Sequence, residues 1–91
     1  MLSYVVEFLG TFLFLSVFIA TGQPIVISLA FLLVLLLGMG ISGGHFNPAT
    51  SLMFWLKGSL SPADLAAYIT AQLLGGASAY GVYALMARNS F

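Results

Sequence analysis

The stretch Ser42-Gly43-Gly44-His45-Phe46-Asn47-Pro48-Ala49-Thr50-Ser51-Leu52-Met53-Phe54-Trp55-Leu56-Lys57 interrupts an otherwise greasy chain and decides how the rest is read. It opens with five residues that suit no regular element. Asn47-Pro48 then has the form of a helix start, with Asn as the cap and Pro just inside. The run Pro48 to Lys57 is about ten residues, or roughly 15 Å of helix. That is half the thickness of a hydrocarbon core. An irregular segment followed by a half-length helix fits a re-entrant loop. Such backbone is tolerated at membrane depth only where protein buries it or it lines a watery cavity. A helix lying flat at the membrane surface is the other reading.

Outward from this stretch, three segments are long and apolar enough to span a bilayer, which takes roughly 20 residues. The first covers residues 3–21 and ends at Gly22-Gln23-Pro24, a turn signal. The second covers 25–41 and is the most uniformly apolar. The third covers 62–87 and opens with Ser61-Pro62-Ala63-Asp64, in which Ser61 can cap, Pro62 suits the first helical position and Asp64 complements the positive helix end. Ala67, Ala71, Gly75 and Ala79 give this third span a stripe of small residues that permits close helix packing in lipid. The expectation is an all-α membrane protein, residues 1–91 forming one unit of three transmembrane helices plus one re-entrant half-helix over 42–57.

Composition agrees. Of 91 residues 62% are hydrophobic, and the only charged side chains are Glu7, Lys57, Asp64 and Arg88. Four charges cannot keep the surface of so small a domain dissolved in water, whereas in lipid that surface faces an apolar solvent. Zero formal net charge leaves no basic patch for nucleic acid. The absence of cysteine excludes disulfides, thiolate metal sites and cysteine nucleophiles. A cleaved signal peptide fits poorly, because Met1 to Val6 carries no basic region.

Ser42-Gly43-Gly44-His45-Phe46-Asn47-Pro48-Ala49 resembles the first Asn-Pro-Ala box of the major intrinsic proteins, the aquaporins and aquaglyceroporins. Glu7-Phe8-Leu9-Gly10-Thr11 resembles the family's first-helix motif, and Tyr68-Ile69-Thr70-Ala71-Gln72-Leu73-Leu74-Gly75 its third-helix motif. Three motifs in order, on spans that hydropathy places independently, are far more specific than a bare tripeptide. The resemblance covers nearly the whole chain but only one of the family's two inverted repeats, whose half-helices meet tip to tip at the midplane. The match is to the first repeat. Where the second repeat typically carries a filter arginine after Asn-Pro-Ala, this chain has Thr50. An ungapped alignment puts Ile27 where the second span usually contributes a filter aromatic, with Phe31 one turn away.

The resemblance implies a passive channel for water or small uncharged solutes, assembled in the lipid bilayer from at least two half-channel chains. The second would be an inverted copy of this chain or a complementary half-channel. A non-conducting structural or regulatory half-channel is the alternative reading, and proton-coupled transport through Glu7 and His45 a third. Transport needs no cofactor, and no paired carboxylates, activated nucleophile or metal cluster points to an enzyme.

Within that expectation Asn47 is the principal pore residue. With its side-chain oxygen capping the half-helix, its amide hydrogens stay free for a permeating oxygen, and the positive helix end repels cations. It could also be a cap and nothing more. Gly43, Gly44, His45 and Phe46 would offer backbone carbonyls as an acceptor ladder, or simply connect two elements. Ile27 would line the pore. Pro48 and Ala49 are structural. A single histidine reads as a strut for the loop sooner than as a ligand. Glu7, an ionisable residue in an apolar span, is either a buried brace for the re-entrant segment or an exposed interfacial charge. Gln72 braces a loop or helix partner, and Trp55, Tyr80 and Tyr83 read as interfacial anchors.

Overall fold

The computed structural model describes residues 1–88, in which four helices follow one another: α1, Leu2–Thr21; α2, Pro24–Ser42; α3, Pro48–Leu56; and α4, Pro62–Arg88. No strand occurs among the described residues. The all-α class read from the sequence is therefore the class observed. Each boundary has a local cause. Gly22 takes the left-handed conformation (φ 59°) and its N–H donates to the Phe18 carbonyl at 3.0 Å, which closes α1, and Pro24 opens α2. Ser61 Oγ accepts the N–H of Asp64 at 3.0 Å and caps α4.

Helix α1 lies between α2 and α4. The Tyr4 hydroxyl donates to Asp64, which ties the beginnings of α1 and α4 together and sets the two helices parallel. Further along, Ala71, Gly75 and Ala79 are buried, and a Cβ at Gly75 would stand 2.8 Å from the Phe8 carbonyl oxygen. The two backbones thus approach closely through side chains that offer almost no bulk. On the other side Phe14 of α1 packs on Phe31 of α2, with ring centroids 4.8 Å apart. The short α3 packs on α4.

Leu29, Leu32, Leu33 and Leu36 of α2 are exposed, as are Leu9 and Leu13 of α1. Soluble monomers rarely expose so continuous an apolar surface. Helices α1 and α2 are long and apolar enough to cross a bilayer. Helix α4, at 27 residues, has the length but is less apolar than the third span expected from the sequence. Part of that polarity lies on its buried face, where Tyr68 and Gln72 meet protein partners and not lipid.

Candidate functional site

The segment between α2 and α3 is built from unusual backbone. Gly43 (φ 87°) and Gly44 (φ 64°) occupy the left-handed region that glycine enters freely. Phe46 occupies it too (φ 53°), at a cost of about 1–2 kcal/mol for a residue with a Cβ. Strain of this kind persists only where the surroundings fix it. Here they do so twice. The Phe46 N–H donates to Glu7 Oε1 at 2.7 Å. Its ring fills a slot between α1 and α2 that exists because two residues lack side chains: a Cβ at Gly10 would come within 2.7 Å of Phe46 Cδ1, and one at Gly38 within 2.8 Å of Phe46 Cζ. Gly10 stands near the middle of α1, so the loop reaches mid-depth in the bundle.

Glu7 is fully buried, and each carboxylate oxygen receives two donors. Oε2 accepts from the Ser42 hydroxyl (2.7 Å) and the His45 N–H (3.0 Å). Oε1 accepts from the Phe46 N–H and from Gln72 Nε2 (2.8 Å). Four donors match the four lone-pair positions of a carboxylate, the condition under which a charge can be buried without severe loss. Gln72 Nε2 also donates to Ser51 Oγ at 2.9 Å, and Ser51 Oγ lies 2.9 Å from His45 Nδ1. Ser51 Oγ thus bridges the Gln72 amide and the His45 ring. The His45 ring stacks on Phe54 (4.7 Å, 15°) and meets the edge of Tyr68 (4.9 Å), whose hydroxyl donates to the Ser42 carbonyl at 2.7 Å.

The loop is therefore held by its N–H groups. Those of His45 and Phe46 go to Glu7, and that of Gly44 goes to Ser42 Oγ at 3.2 Å. The opposite holds for its carbonyls. Among the described residues nothing donates to the carbonyl oxygens of Gly43, Gly44, His45 or Phe46. At the end of this row stands Asn47, exposed and extended (φ −162°, ψ 129°), with Oδ1 accepting the Ala49 N–H at 2.8 Å. Its side-chain amide nitrogen has no acceptor among the described residues. Pro48 occupies the first position of α3, and the positive end of that helix coincides with the free amide.

Of the residues singled out from the sequence, the structure brings together Glu7, Gln72, His45 and Phe46, with Gly43, Gly44, Asn47, Pro48 and Ala49 on the same loop and helix start. Gly43 and Asn47 are exposed, while the side chains of His45 and Phe46 are buried. Ile27 stands apart, half-buried in the first turns of α2 and roughly 22 Å along the helix from Ser42. Phe31 belongs to the α1–α2 packing. Trp55, Tyr80 and Tyr83 are exposed. Sequence reasoning assigns no role to Ser42, Ser51, Gly10 or Gly38. Ser51 follows Asn47 by one helical turn, a spacing that could have marked it as facing the loop.

Comparison with known proteins places the chain in a family. The family model described as Major intrinsic protein matches residues 21–90. The chain is 40% identical over 84 residues to Glycerol uptake facilitator protein-like 6 of Lactiplantibacillus plantarum, an alignment covering 82% of this chain and 39% of the relative. It is 46% identical over 68 residues to Aquaglyceroporin AqpS of Rhizobium meliloti, covering 75% of this chain and 27% of the relative. With Aquaporin Z of Photorhabdus laumondii it shares 35% over 96 residues, 89% of this chain and 42% of the relative. The chain thus spans less than half the length of the curated relatives it matches. No solved structure matches. A match over most of the chain, from the end of α1 through α4, makes this an integral membrane protein that belongs to the major intrinsic protein family.

Proposed function

We propose that the chain is one repeat of a passive channel for water or small uncharged solutes. One observation carries the reading. The loop's N–H groups are engaged by Glu7 and Ser42, four successive carbonyls have no donor among the described residues, and a free, exposed Asn47 amide closes the row. Acceptors in file with a donor at the end are what a file of neutral hydroxyl-bearing molecules needs, and the positive end of α3 beside Asn47 repels cations. The names of the relatives, a glycerol uptake facilitator, an aquaglyceroporin and an aquaporin, point to the same solute class.

The pore is completed by a second half-helix facing Asn47, and an inverted copy of this chain can supply it. Lys57 lies by the end of the bundle where α4 begins and Arg88 at the opposite end of α4, so basic side chains give little bias toward one orientation. Osmotic shrinkage of liposomes holding the purified chain tests conduction. Shrinkage no faster than in protein-free liposomes would leave the non-conducting half-channel. A topology reporter after Phe91, found on one face of the membrane only, would exclude the inverted copy in favour of a complementary half-channel.

A further inference from the structure

We infer that Phe46 is a positioning residue that sets the size limit of the pore, acting as a spacer between the α1–α2 pair and the loop. The inference rests on the channel reading above and adds to it a determinant of solute size. Two opposed constraints act on the loop. Glu7 draws it toward α1 through the N–H groups of His45 and Phe46. The Phe46 ring, seated against Gly10 and Gly38, stops that approach, since both glycines already lie at contact distance. The resting place of the loop, and with it the unpaired carbonyls and Asn47, is where draw and stop balance.

The geometry gives the sign of each change. A shorter side chain at 46 leaves space beside Gly10 and Gly38, and a loop that settles into it moves away from the exposed side of Asn47 and widens the passage. A methyl group at Gly10 meets the ring and pushes the loop the other way. With the Phe46 N–H held on Glu7, the backbone is anchored and the ring can move aside only by rotating about its own side-chain bonds. A competing outlet is a crevice of about 180 Å³ beside the ring, lined by Val6, Leu9, Leu13, Val34 and Leu37.

Stopped-flow measurement of water and glycerol permeability in liposomes tests this, with the ratio of the two as readout because it does not depend on how much protein inserts. Phe46→Leu should raise the glycerol-to-water ratio several-fold, Gly10→Ala should lower it, and the double variant should return toward the original. Ratios unchanged in both single variants would mean that the ring relocates into the crevice without moving the loop, and would overturn the inference. So would a double variant whose ratio departs from the original as far as that of Phe46→Leu. Should Gly10→Ala fail to insert, the ratio in Phe46→Leu alone decides. An unsubstituted chain that conducts neither solute overturns the channel reading instead, a result seen before any variant is made.

Discussion

Glu7 and Phe46 stand 39 positions apart in the chain, yet the carboxylate oxygen of one accepts the main-chain N–H of the other at 2.7 Å. The bond joins a helix to a residue in left-handed backbone, and three further donors share the same carboxylate. Replacing Glu7 with Gln keeps the shape but puts an NH₂ group where two of the donors now point. We expect Glu7→Gln to lose at least about 2 kcal/mol, because buried N–H groups are left without acceptors. Unfolding in mixed detergent micelles would measure it, and an unchanged midpoint would show that the carboxylate is dispensable.

Ser51→Ala removes one hydroxyl from between Gln72 and His45. His45 Nδ1 loses its hydrogen-bond partner and Gln72 Nε2 one of its acceptors, inside a site where Ser51 is fully buried. The expected loss is about 1–3 kcal/mol. Ser51→Thr, which retains the hydroxyl, should recover part of it in the same unfolding measurement.

Gly75 and Gly81 make a matched pair on α4. Gly75 faces the Phe8 carbonyl at a distance that no real Cβ accepts, whereas a Cβ at Gly81 meets nothing within 4 Å. Gly75→Ala should therefore force α1 and α4 apart and destabilise by about 1–3 kcal/mol. Gly81→Ala should be neutral or stabilise by up to about 1 kcal/mol, as expected for an exposed helical glycine. Equal effects at the two sites would contradict the close approach of α1 and α4.

Asn47 separates capping from conduction. Asp caps a helix as well as Asn, so Asn47→Asp should leave stability near the original, while Asn47→Ala should lose about 1 kcal/mol. Flux should respond differently. Asn47→Asp removes both amide donors and places a negative charge at the head of α3, so neutral-solute permeability should fall and cation exclusion weaken. Permeability and exclusion both intact in Asn47→Asp would reduce Asn47 to a cap.

Much of this architecture is legible in the amino-acid sequence. Unbroken apolar runs mark α1 and α2, and Gly-Gly followed by Asn-Pro marks a loop entering a helix. Glu7 and Gln72 stand out because a polar side chain in an apolar span needs partners. What stays hidden depends on distant chain segments meeting. Serine is ordinary in helices, and only the convergence of Gln72 and His45 gives Ser51 its place. Gly10 and Gly38 read as small residues until the Phe46 ring is seen between them. Nothing in His45-Phe46-Asn47 announces left-handed backbone at a phenylalanine, since the draw of Glu7 imposes it. Tyr68 and Gln72 lower the apolarity of α4 without meeting lipid, because they lie on a face covered by protein, and span length alone does not reveal that.

All four donors to Glu7 lie later in the chain than Glu7 itself: Ser42, His45, Phe46 and Gln72. During synthesis α1 reaches the membrane before any of these donors exists, and its carboxylate carries part of the roughly 2.5–3.5 kcal/mol that an acidic group costs at the very centre of an inserting helix. Relief comes in instalments, as the end of α2 brings Ser42, the loop brings two N–H groups, and α4 brings Gln72. The first helix is thus the last to become comfortable in lipid, and biogenesis of this repeat is complete only when the amide of Gln72 reaches a residue that left the ribosome 65 positions earlier.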